Sequence, residues 1–549
     1  MSWTDRSNRG RRSGLLAVAI VLMAVTPLWA QDAAATDTAE TPVAKLDSGD
    51  TAWMLTSSAL VIMMTVPGLA LFYGGLVRSK NVLSTLMHSF FCAALLSIAW
   101  IVVGYTIAFG PEGNAFIGSF KNFGLAGLVG QTNGTIPALL FVMFQGTFFI
   151  ITPALISGTF AERIRFSSFA VLMLLWSVII YAPLCHWVWG GGWIGEMGAL
   201  DFAGGTVVHI SSGVSALVMA FYLGKRVGYG TEPMPPHNLP FTVIGASLLW
   251  VGWFGFNAGS ALGANELASV AFINTNTGAA AAALGWLLAE WLKTGKPTIL
   301  GAASGAVAGL VAITPAAGFV PPMAAIAIGG IGGVACFFAV SLKPRFGYDD
   351  ALDVVGVHFV GGSVGAILTG VFARADIGGT DGLLYGNPGQ LWTQIVAVLA
   401  TYAYCGIGML ILLVIVDKIF KLRPSEDEEV VGLDLSQHSE RAYAWAGTGS
   451  VALVGGNGGP RAASAPPAGE RFTITLDGID ADAMLNHWRN LCQDHGGPPS
   501  EAFTSVYSQM STVRGTKFRF RGGNPDKIRQ NLEDLFKNVS KSTSAKVES

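Results

Sequence analysis

Long, weakly charged apolar runs fill most of the chain between Ala52 and Phe420 and limit what it can fold into. Only 12% of the 549 residues are charged, whereas a soluble domain is usually about one quarter charged. Such runs predict membrane-spanning helices, because a helix satisfies its backbone hydrogen bonds within lipid. We therefore expect an all-α polytopic membrane protein. The near-zero net charge gives no reason to expect nucleic acid as a partner.

The apolar runs predict eleven transmembrane helices. They begin near Ala52, Leu83, Ile136, Ser167, Gly204, Phe241, Ala268, Ile299, Met323, Val354 and Leu391. Basic residues follow every odd-numbered run: Arg78/Lys80, Arg163/Arg165, Lys225/Arg226, Lys293/Lys296, Lys343/Arg345 and Lys418/Lys421/Arg423. The other loops carry almost no Lys or Arg, with Lys121 and Arg374 as the exceptions. The positive-inside rule then predicts an extracytoplasmic N-terminus and a cytoplasmic C-terminus.

The N-terminal sequence is typical of a secretory signal peptide. Basic residues precede a short apolar stretch, and a small residue, Ala30, stands at the expected cleavage position. We predict a signal peptide over residues 1–30 and an extracytoplasmic lead over 31–50, although an additional membrane span is the alternative. In a double-membraned bacterium, the predicted location is the inner membrane.

Two matched Asp–His pairs suggest an internal repeat. Asp201 precedes His209 by eight residues, and Asp350 precedes His358 by the same number. A Gly follows each His by four residues. At about 1.5 Å per residue, each His lies about 12 Å from its Asp, near mid-membrane and approached from opposite faces. The pattern predicts two inverted five-helix repeats plus one further helix, a transporter arrangement, although the matched spacing could also arise by chance.

Composition divides the rest of the chain. We expect a membrane domain over 51–420, a cytoplasmic regulatory tail over 421–444, and a flexible linker rich in Gly, Ala and Pro over 445–470. Two alternating strands and two amphipathic helices then predict a small soluble α+β domain over 471–541, followed by a disordered tail over 542–549. The five cysteines lack metal-like spacing and are interpreted as small core residues.

Histidines inside membrane spans are candidate functional residues, because an ionisable group there is expensive. The alternative for each is a structural hydrogen bond between helices, and His88 keeps that interpretation because it has no matched counterpart. Asp201 is either an N-cap or an attractor of cations, and both roles can hold. Trp187, Trp189 and Trp193 are either an interfacial belt or a cation-attracting surface. Two further pairs have helical spacing and are more often packing residues: Gln145 with Phe148, and Phe256 with Ser260.

Several stretches together resemble the Amt/Mep/Rh ammonium transporter family, most closely its bacterial ammonium transporter branch. The resemblance covers roughly residues 50 to 444 and leaves the C-terminal domain unexplained. It rests on ALFYGGLVRSKN, FAERIRF, LDFAGGTVVHISSG, KRVGYG, PHNLP, GWFGFNAGS, ANELA, GKPTILGAASGAVAGLVAITPAAG and DDALDVVGVHFVGG.

The resemblance implies a homotrimer of eleven-span subunits, each with its own pore, and no cofactor, metal or enzymatic activity. It implies an outer ammonium-binding site formed by Trp189, Phe148 and Ser260, with Asp201 in support. Phe148 and Phe256 would form a gate, and His209 with His358 would line the pore. Gln145, Trp253 and Asp350 would be supporting positions.

These assignments are physically coherent for ammonium. Moving a bare cation into a narrow apolar pore costs many kcal/mol. Ammonium can lose its proton, which potassium cannot, and desolvation lowers the pKa of a cationic acid. We therefore expect ammonia to pass the twin histidines, and the released proton can be carried separately. The alternatives are an ammonium sensor that signals through residues 471–541, and a gas channel, which the retained Trp189 and Ser260 disfavour.

The tail motif GLDLSQHSERAY resembles the family's cytoplasmic tail, which couples subunits and meets nitrogen-regulatory P-II proteins. The family usually has Gly where this chain has Ser439, so the chain departs from the family pattern within the segment that serves subunit coupling and P-II control. In the C-terminal domain, Lys517, Arg519 and Arg521 share one face of a strand. That face is either simply solvated or a site for an anionic ligand, nucleotide or partner.

Overall fold

The structure, a computed structural model, describes residues 45–443 continuously, and further residues after 470. Those further residues are 471–477, 480, 483–484, 487–488, 506, 510–514, 517–521, 524–536 and 544–548. The chain divides into two compact units, Met1–Glu440 and Arg441–Ser549. The predicted signal peptide, most of the predicted lead and the predicted linker lie outside the described residues.

The first unit is helical. Its long helices are α1 (Ser48–Leu76), α2 (Ser79–Phe109), α3 (Ala138–Phe160), α4 (Phe166–Glu196), α5 (Gly205–Leu223), α6 (Leu239–Gly259), α7 (Glu266–Thr294), α8 (Ile299–Ile313), α9 (Pro322–Phe346), α10 (Val355–Phe372) and α11 (Pro388–Phe420). A two-residue ribbon, β1 (Thr132–Asn133) with β2 (Ile136–Pro137), precedes α3.

Ten of these helices in the described part of the chain are long and apolar enough to cross a membrane, and α8 is shorter at 15 residues. Large apolar side chains such as Phe90, Leu284 and Leu399 are more than half exposed, as expected for helices that face lipid. In contrast, all but two residues of α3 are buried, so this helix lies in the interior of the unit. The prediction of a helical polytopic membrane protein is confirmed.

A buried ion-pair network joins the loops at one end of the unit, called here the tail end. Glu162, after α3, lies 2.7 Å from Arg78 and 3.3 Å from Arg226. Arg226 also donates to both carboxylate oxygens of Asp349, at 2.9 Å each. Burial opposes the ionisation of Glu162, but the two arginines outweigh it and hold the pKa of this carboxyl below its ordinary value. The network therefore fixes the loops after α1, α3, α5 and α9 together.

The tail after α11 forms two short helices, α12 (Glu426–Val431) and α13 (Leu433–His438). The carboxylate of Asp434 accepts hydrogen bonds from the backbone N–H of Leu83 and of Ser84, at 3.0 and 2.8 Å, near the start of α2. The Gln437 side-chain oxygen accepts from the N–H of Phe166 at 2.7 Å, at the start of α4. The tail thus satisfies backbone donors that α2 and α4 cannot satisfy themselves.

Ser439 ends α13 in a left-handed conformation, with φ at +58°. Left-handed backbone is strained for residues with a Cβ and free for glycine. Ser439→Gly is therefore expected to stabilise the docked tail by about 0.5–1 kcal/mol and to slow amide hydrogen exchange in residues 433–438 roughly two- to fivefold. Ser436→Gly, inside α13, is the matched control and should speed exchange. Unchanged exchange in Ser439→Gly would contradict the strain argument.

The second unit contains a four-stranded antiparallel sheet and helix α14 (Pro525–Phe536). Its strands are β3 (Arg471–Asp477), β4 (Met510–Arg514), β5 (Lys517–Arg521) and β6 (Ser544–Glu548), in the order β4-β5-β3-β6. Residues 483–484 and 487–488, between β3 and β4, are helical. The order of elements and strands is that of a split β-α-β fold. Phe518, Phe520 and Ile474 form a core with Trp488 and Phe536.

Two features of this unit differ from the sequence prediction. Residues 542–549 were expected to be disordered, but Ser544–Glu548 pairs with β3 as the edge strand β6, so the unit extends beyond residue 541. Strand β4 was also missed. β4 lacks a clear alternation of apolar and polar residues, whereas β6 alternates but is only five residues long. In each case pairing with a neighbouring strand supplies order that the short local pattern does not indicate.

Candidate functional site: a histidine pair between two cavities

His209 and His358 meet in the interior of the helical unit. Each lies in a π-helical first turn, His209 in α5 and His358 in α10. Their Nδ1 atoms are 3.2 Å apart, and their rings stack with centroids 5.3 Å apart. The two histidines that the matched Asp–His spacing identified in the sequence are thus in contact in the structure. Because one Nδ1 must donate and the other accept, the two neutral rings hold different tautomers.

Glycine allows this approach. A Cβ added to Gly213 would lie 2.3 Å from the backbone nitrogen of Phe359, and one added to Gly362 would lie 2.9 Å from the Cβ of His209. Either addition would force α5 and α10 apart. The glycine found four residues after each His in the sequence is therefore the residue that lets the two histidine-bearing helices cross closely.

A narrow apolar cavity of about 10 Å³ lies beside the histidine pair, which is room for about one water-sized molecule. It is lined by Met64, Leu69, Phe72, Tyr73, Ile151, Leu155, Val208, His209, Leu249, Trp253, Phe256, Val307 and His358. The Tyr73 hydroxyl donates to the carbonyl of Leu155 at 3.0 Å and is thereby satisfied. The Nε2 atom of His209 is buried and has no hydrogen-bond partner among the described residues. That nitrogen is free to bind a small polar solute.

A second, larger cavity of about 210 Å³ continues past His358 toward the loop that follows α9. Phe72, Tyr73, Val307 and His358 line both cavities. The second cavity adds polar lining residues: Glu290, Thr298, Ser304, Ser341 and Asp353. The space beside the histidines therefore becomes polar toward the tail end.

Phe256 lines the apolar cavity on the side opposite the tail and packs against a second aromatic ring, Phe148. Phe148 of α3 and Phe256 of α6 lie with ring centroids 4.2 Å apart. Trp189 of α4 meets Phe148 edge-on at 5.9 Å. Ser260 caps α6 one turn beyond Phe256 and donates to its carbonyl at 2.9 Å. The structure thus brings together Phe148, Trp189 and Phe256, and it places Ser260 next along the same helix.

The carboxylate of Asp201 organises the start of α5. It accepts the backbone N–H of Gly204, Gly205, Thr206 and Val207 at 2.5–3.2 Å, together with the Thr206 hydroxyl. Its own carbonyl accepts the indole N–H of Trp189 at 2.8 Å. Asp201 is only 7% exposed. Both carboxylate oxygens are therefore used in capping α5. This supports the interpretation of Asp201 as an N-cap over its interpretation as an attractor of cations.

Asp350 has a similar position before α10. Its carboxylate accepts the N–H of Val355 at 2.8 Å and the hydroxyl of Thr159 at 2.7 Å. The desolvation of this buried loop residue raises its pKa, with nearby Asp353 adding to the effect and Lys343 opposing it. Each histidine-bearing helix is thus preceded by a buried Asp that caps its first turn.

Trp253 supports the pair from one side. Its ring stacks on His209 at 5.6 Å, and its indole N–H donates to the Thr314 hydroxyl at 2.9 Å. Thr314 in turn donates to Asn257 at 3.3 Å.

Gln145 is nearly buried, and its side-chain oxygen has no partner among the described residues. Sequence reasoning missed Tyr73, Thr314 and Asn257, although all three lie inside the stretches that carry the family resemblance.

Comparisons with known proteins agree on one family. The model of the Ammonium Transporter Family matches residues 52–443. The ammonium transporter of Bacillus subtilis is 56% identical over 404 residues, which cover 72% of this chain and 99% of that protein. The crystal structure of Candida albicans Mep2 has a TM-score of 0.67 at 38% identity, covering 70% and 88%. A structure described as "Sensor Amt Protein" has the same TM-score at 28% identity, covering 71% and 98%.

Proposed function

The chain belongs to the Ammonium Transporter Family, and from this premise we propose that it recruits ammonium, removes its proton and conducts ammonia past His209 and His358, while the proton crosses separately and so produces a current. The observation that carries the proposal is the free Nε2 of His209 in an otherwise apolar cavity. One hydrogen bond in such a cavity can offset the cost of removing a small polar molecule from water. It cannot offset the much larger desolvation cost of an ion.

The proposed path begins where Phe148, Trp189 and Ser260 lie, called here the aromatic end. Trp189 and Phe148 offer ring faces and edges to a cation, with Ser260 as a hydrogen-bonding partner. The closely packed rings of Phe148 and Phe256 block a hydrated ion, so the solute must shed water and, for ammonium, its proton. The two neutral imidazoles then offer one N–H donor and one nitrogen acceptor, which suits ammonia. Beyond His358, the larger polar cavity allows the solute to take up water and a proton again.

We propose that eleven helices cross the membrane, with α8 and the buried turn after it as the eighth span. Lys and Arg at the tail end support a cytoplasmic C-terminus and an extracytoplasmic N-terminus, in the bacterial inner membrane. The matched capping aspartates, π-helical turns and close-approach glycines of α5 and α10 support two inverted five-helix repeats.

One exposed polar residue at the depth of the lipid hydrocarbon supports a homotrimer. Asn276 of α7 is exposed, and none of the described residues offers its carboxamide a hydrogen bond. It stands ten residues after the start of α7, about 15 Å along the axis, and so falls within the hydrocarbon region. An amide left in hydrocarbon costs several kcal/mol. We infer that a neighbouring subunit covers Asn276.

Asn276→Trp is expected to shift the detergent-solubilised protein from trimer toward monomer, because a bulky ring cannot fit where a small amide meets a partner. Native mass spectrometry measures the distribution. Phe90→Trp is the matched control, since Phe90 is 63% exposed on α2 and the change there is expected to leave the trimer intact. A full trimer population in both variants would place Asn276 against lipid and contradict the assignment.

The tail is bound to the membrane helices, so a P-II protein that binds the tail could affect the pore. Asp434 and Gln437 bind the first turns of α2 and α4, so a cytoplasmic P-II protein that pulls on the tail would release those turns. The left-handed Ser439 still allows α13 to form and dock. We therefore keep the P-II signal protein as a candidate partner.

The alternative function is an ammonium sensor that signals through the C-terminal unit, and a structure described as a sensor Amt protein favours considering it. That relative is 28% identical, whereas a protein named as a transporter is 56% identical. A gas channel is disfavoured because Trp189, Phe148 and Ser260 are all present at the aromatic end.

Ammonium flux into proteoliposomes separates transport from sensing. We expect saturable uptake by the full-length protein, and continued uptake after truncation following Tyr443, with any change in rate reporting control by the C-terminal unit. Tight ammonium binding with neither current nor tracer flux would contradict transport and favour the sensor.

A further inference from the structure

The buried side chain of His186 plays no part in the proposed pore. It lies in α4, three residues before Trp189, and is only 2% exposed. Its Nδ1 lies 2.8 Å from the carbonyl oxygen of Ala108, and its Nε2 lies 2.7 Å from the carbonyl oxygen of Asn114. Both ring nitrogens therefore face groups that can only accept a hydrogen bond.

Two carbonyl partners require a doubly protonated ring. A neutral imidazole has one N–H donor and one bare nitrogen, so it satisfies only one of the two carbonyls and turns a lone pair toward the other. The imidazolium form donates at both nitrogens. Both distances also fall in the range of charge-assisted hydrogen bonds, about 2.7–2.9 Å. The geometry therefore selects the charged form of His186.

The surroundings of the ring suit a positive charge. Ala108 lies in the last turn of α2, where carbonyl groups lack partners within the helix and the helix dipole is negative. The ionisable side chains of the segments packed around this part of α4 are Tyr105, Glu112, Cys185, Glu196, Asp201 and His209. Glu112 is paired with Lys121, and Asp201 caps α5. Within residues 45–443, no carboxylate lies at ion-pair distance from the His186 ring, so the two carbonyls alone hold its charge.

The His186 bond belongs to a group of contacts, called here the latch, that joins α4 to the loop after α2. Three consecutive carbonyls of that loop accept hydrogen bonds from α4: Asn114 from His186, Ala115 from the backbone N–H of Trp193 at 3.1 Å, and Phe116 from the indole N–H of Trp187 at 2.9 Å. Only the first of these bonds depends on a group that changes its charge within the physiological pH range. The latch can therefore be weakened by the loss of one proton.

The latch lies directly against the backbone that carries Trp189. A Cβ added to Gly190, the next residue, would lie 2.0 Å from the carbonyl oxygen of Ala108 and 2.6 Å from Nδ1 of His186. No side chain fits between this backbone and the His186–Ala108 bond. The Trp189 ring itself meets Phe148 at the aromatic end. A change in the His186 bond is thus transmitted to Trp189 by direct contact.

We propose that protonated His186 closes the latch and positions Trp189 to bind ammonium, and that loss of the ring proton at alkaline extracytoplasmic pH opens the latch and weakens ammonium binding. His186 is then a positioning residue, because it acts through Trp189 and does not touch the solute. This inference rests on the proposed recruitment of ammonium at Trp189. Its structural half, the closure of the latch by a proton, is tested without any transport measurement.

Amide hydrogen exchange of the full-length protein in nanodiscs tests the latch. The N–H of Trp193 donates across the latch, so a peptide containing this residue reports whether it is closed. After correction for the intrinsic pH dependence of exchange, wild-type protection should fall roughly two- to tenfold between pH 5.5 and pH 8.5, as one hydrogen bond is lost. His186→Gln, which has no titratable group, should show the lower protection at both pH values. Equal wild-type protection at the two pH values would overturn the proposal, and this result needs no variant.

Ammonium uptake into proteoliposomes, with equal pH on both sides, tests the consequence for binding. The half-saturating concentration of ammonium ion should rise roughly two- to tenfold in the wild type between pH 5.5 and pH 8.5, with little change in maximal rate. In His186→Gln it should be high at both pH values.

Trp187→Phe is the matched control, because it removes a neighbouring bond of the latch and keeps both the aromatic ring and His186. It should raise the half-saturating concentration and retain the wild-type pH dependence. The same pH dependence in the wild type and in His186→Gln would overturn the assignment to His186. No saturable uptake by the wild type at either pH would instead contradict the proposed transport function, while the exchange measurement would still decide whether the latch responds to protonation.

Discussion

Replacing both His209 and His358 with alanine is expected to reduce the saturable ammonium current by roughly five- to 150-fold. The two imidazoles supply the free hydrogen-bonding nitrogens of an otherwise apolar cavity. Each hydrogen bond contributes roughly 0.5–1.5 kcal/mol net, so losing two raises the barrier by about 1–3 kcal/mol. Current recorded from proteoliposomes over a range of ammonium concentrations measures the effect.

His88→Ala is the matched control for this variant. His88 is also a buried histidine within a membrane helix, but its ring lies 4.3 Å from Phe169, away from either cavity. We expect it to keep the wild-type current. A His209→Ala/His358→Ala protein that folds, saturates normally and still excludes potassium would show that the histidines do not carry the solute.

Asp201→Ala is expected to lower the free energy of unfolding by about 3–5 kcal/mol, because it leaves four backbone donors of α5 without an acceptor. It also loosens the carbonyl that holds the Trp189 indole. Transport should therefore fall together with stability. Denaturant titration of the purified protein, alongside ammonium flux, measures both.

Asp201→Asn separates capping from charge attraction. The amide keeps one acceptor oxygen and removes the negative charge, so the capping account predicts a smaller loss of about 1–3 kcal/mol, with flux reduced in proportion. An Asn variant as stable as the wild type but as defective in flux as Asp201→Ala would instead make cation attraction the main role of Asp201.

The sequence predicted the central element of the site well. The spacing of Asp201 to His209, repeated at Asp350 and His358, predicted a polar pair at mid-membrane, and the structure joins the two rings. This worked because a helix has a fixed rise per residue, so spacing translates into depth. The run from Ile299 was predicted as a full span, whereas the structure has a helix of only 15 residues there, so the eighth span stays a prediction.

Residues that act across helices could not be found in the same way. Thr314 reaches Trp253 and Asn257 from sequence distances of 61 and 57 residues, and the hydroxyl of Tyr73 bonds a carbonyl 82 residues away. Such contacts depend on how helices cross, which local pattern does not specify. Edge strand β6 was missed for a related reason, because its order comes from pairing with β3.

The central claim is that the pore passes ammonium only by removing its proton. The most direct measurement compares currents carried by ammonium and by potassium through the wild-type protein in proteoliposomes. The account predicts saturable ammonium current, no potassium current, and no inhibition by a hundredfold excess of potassium. A potassium current of comparable size would contradict it, because potassium has no proton to lose and could cross only as a bare ion.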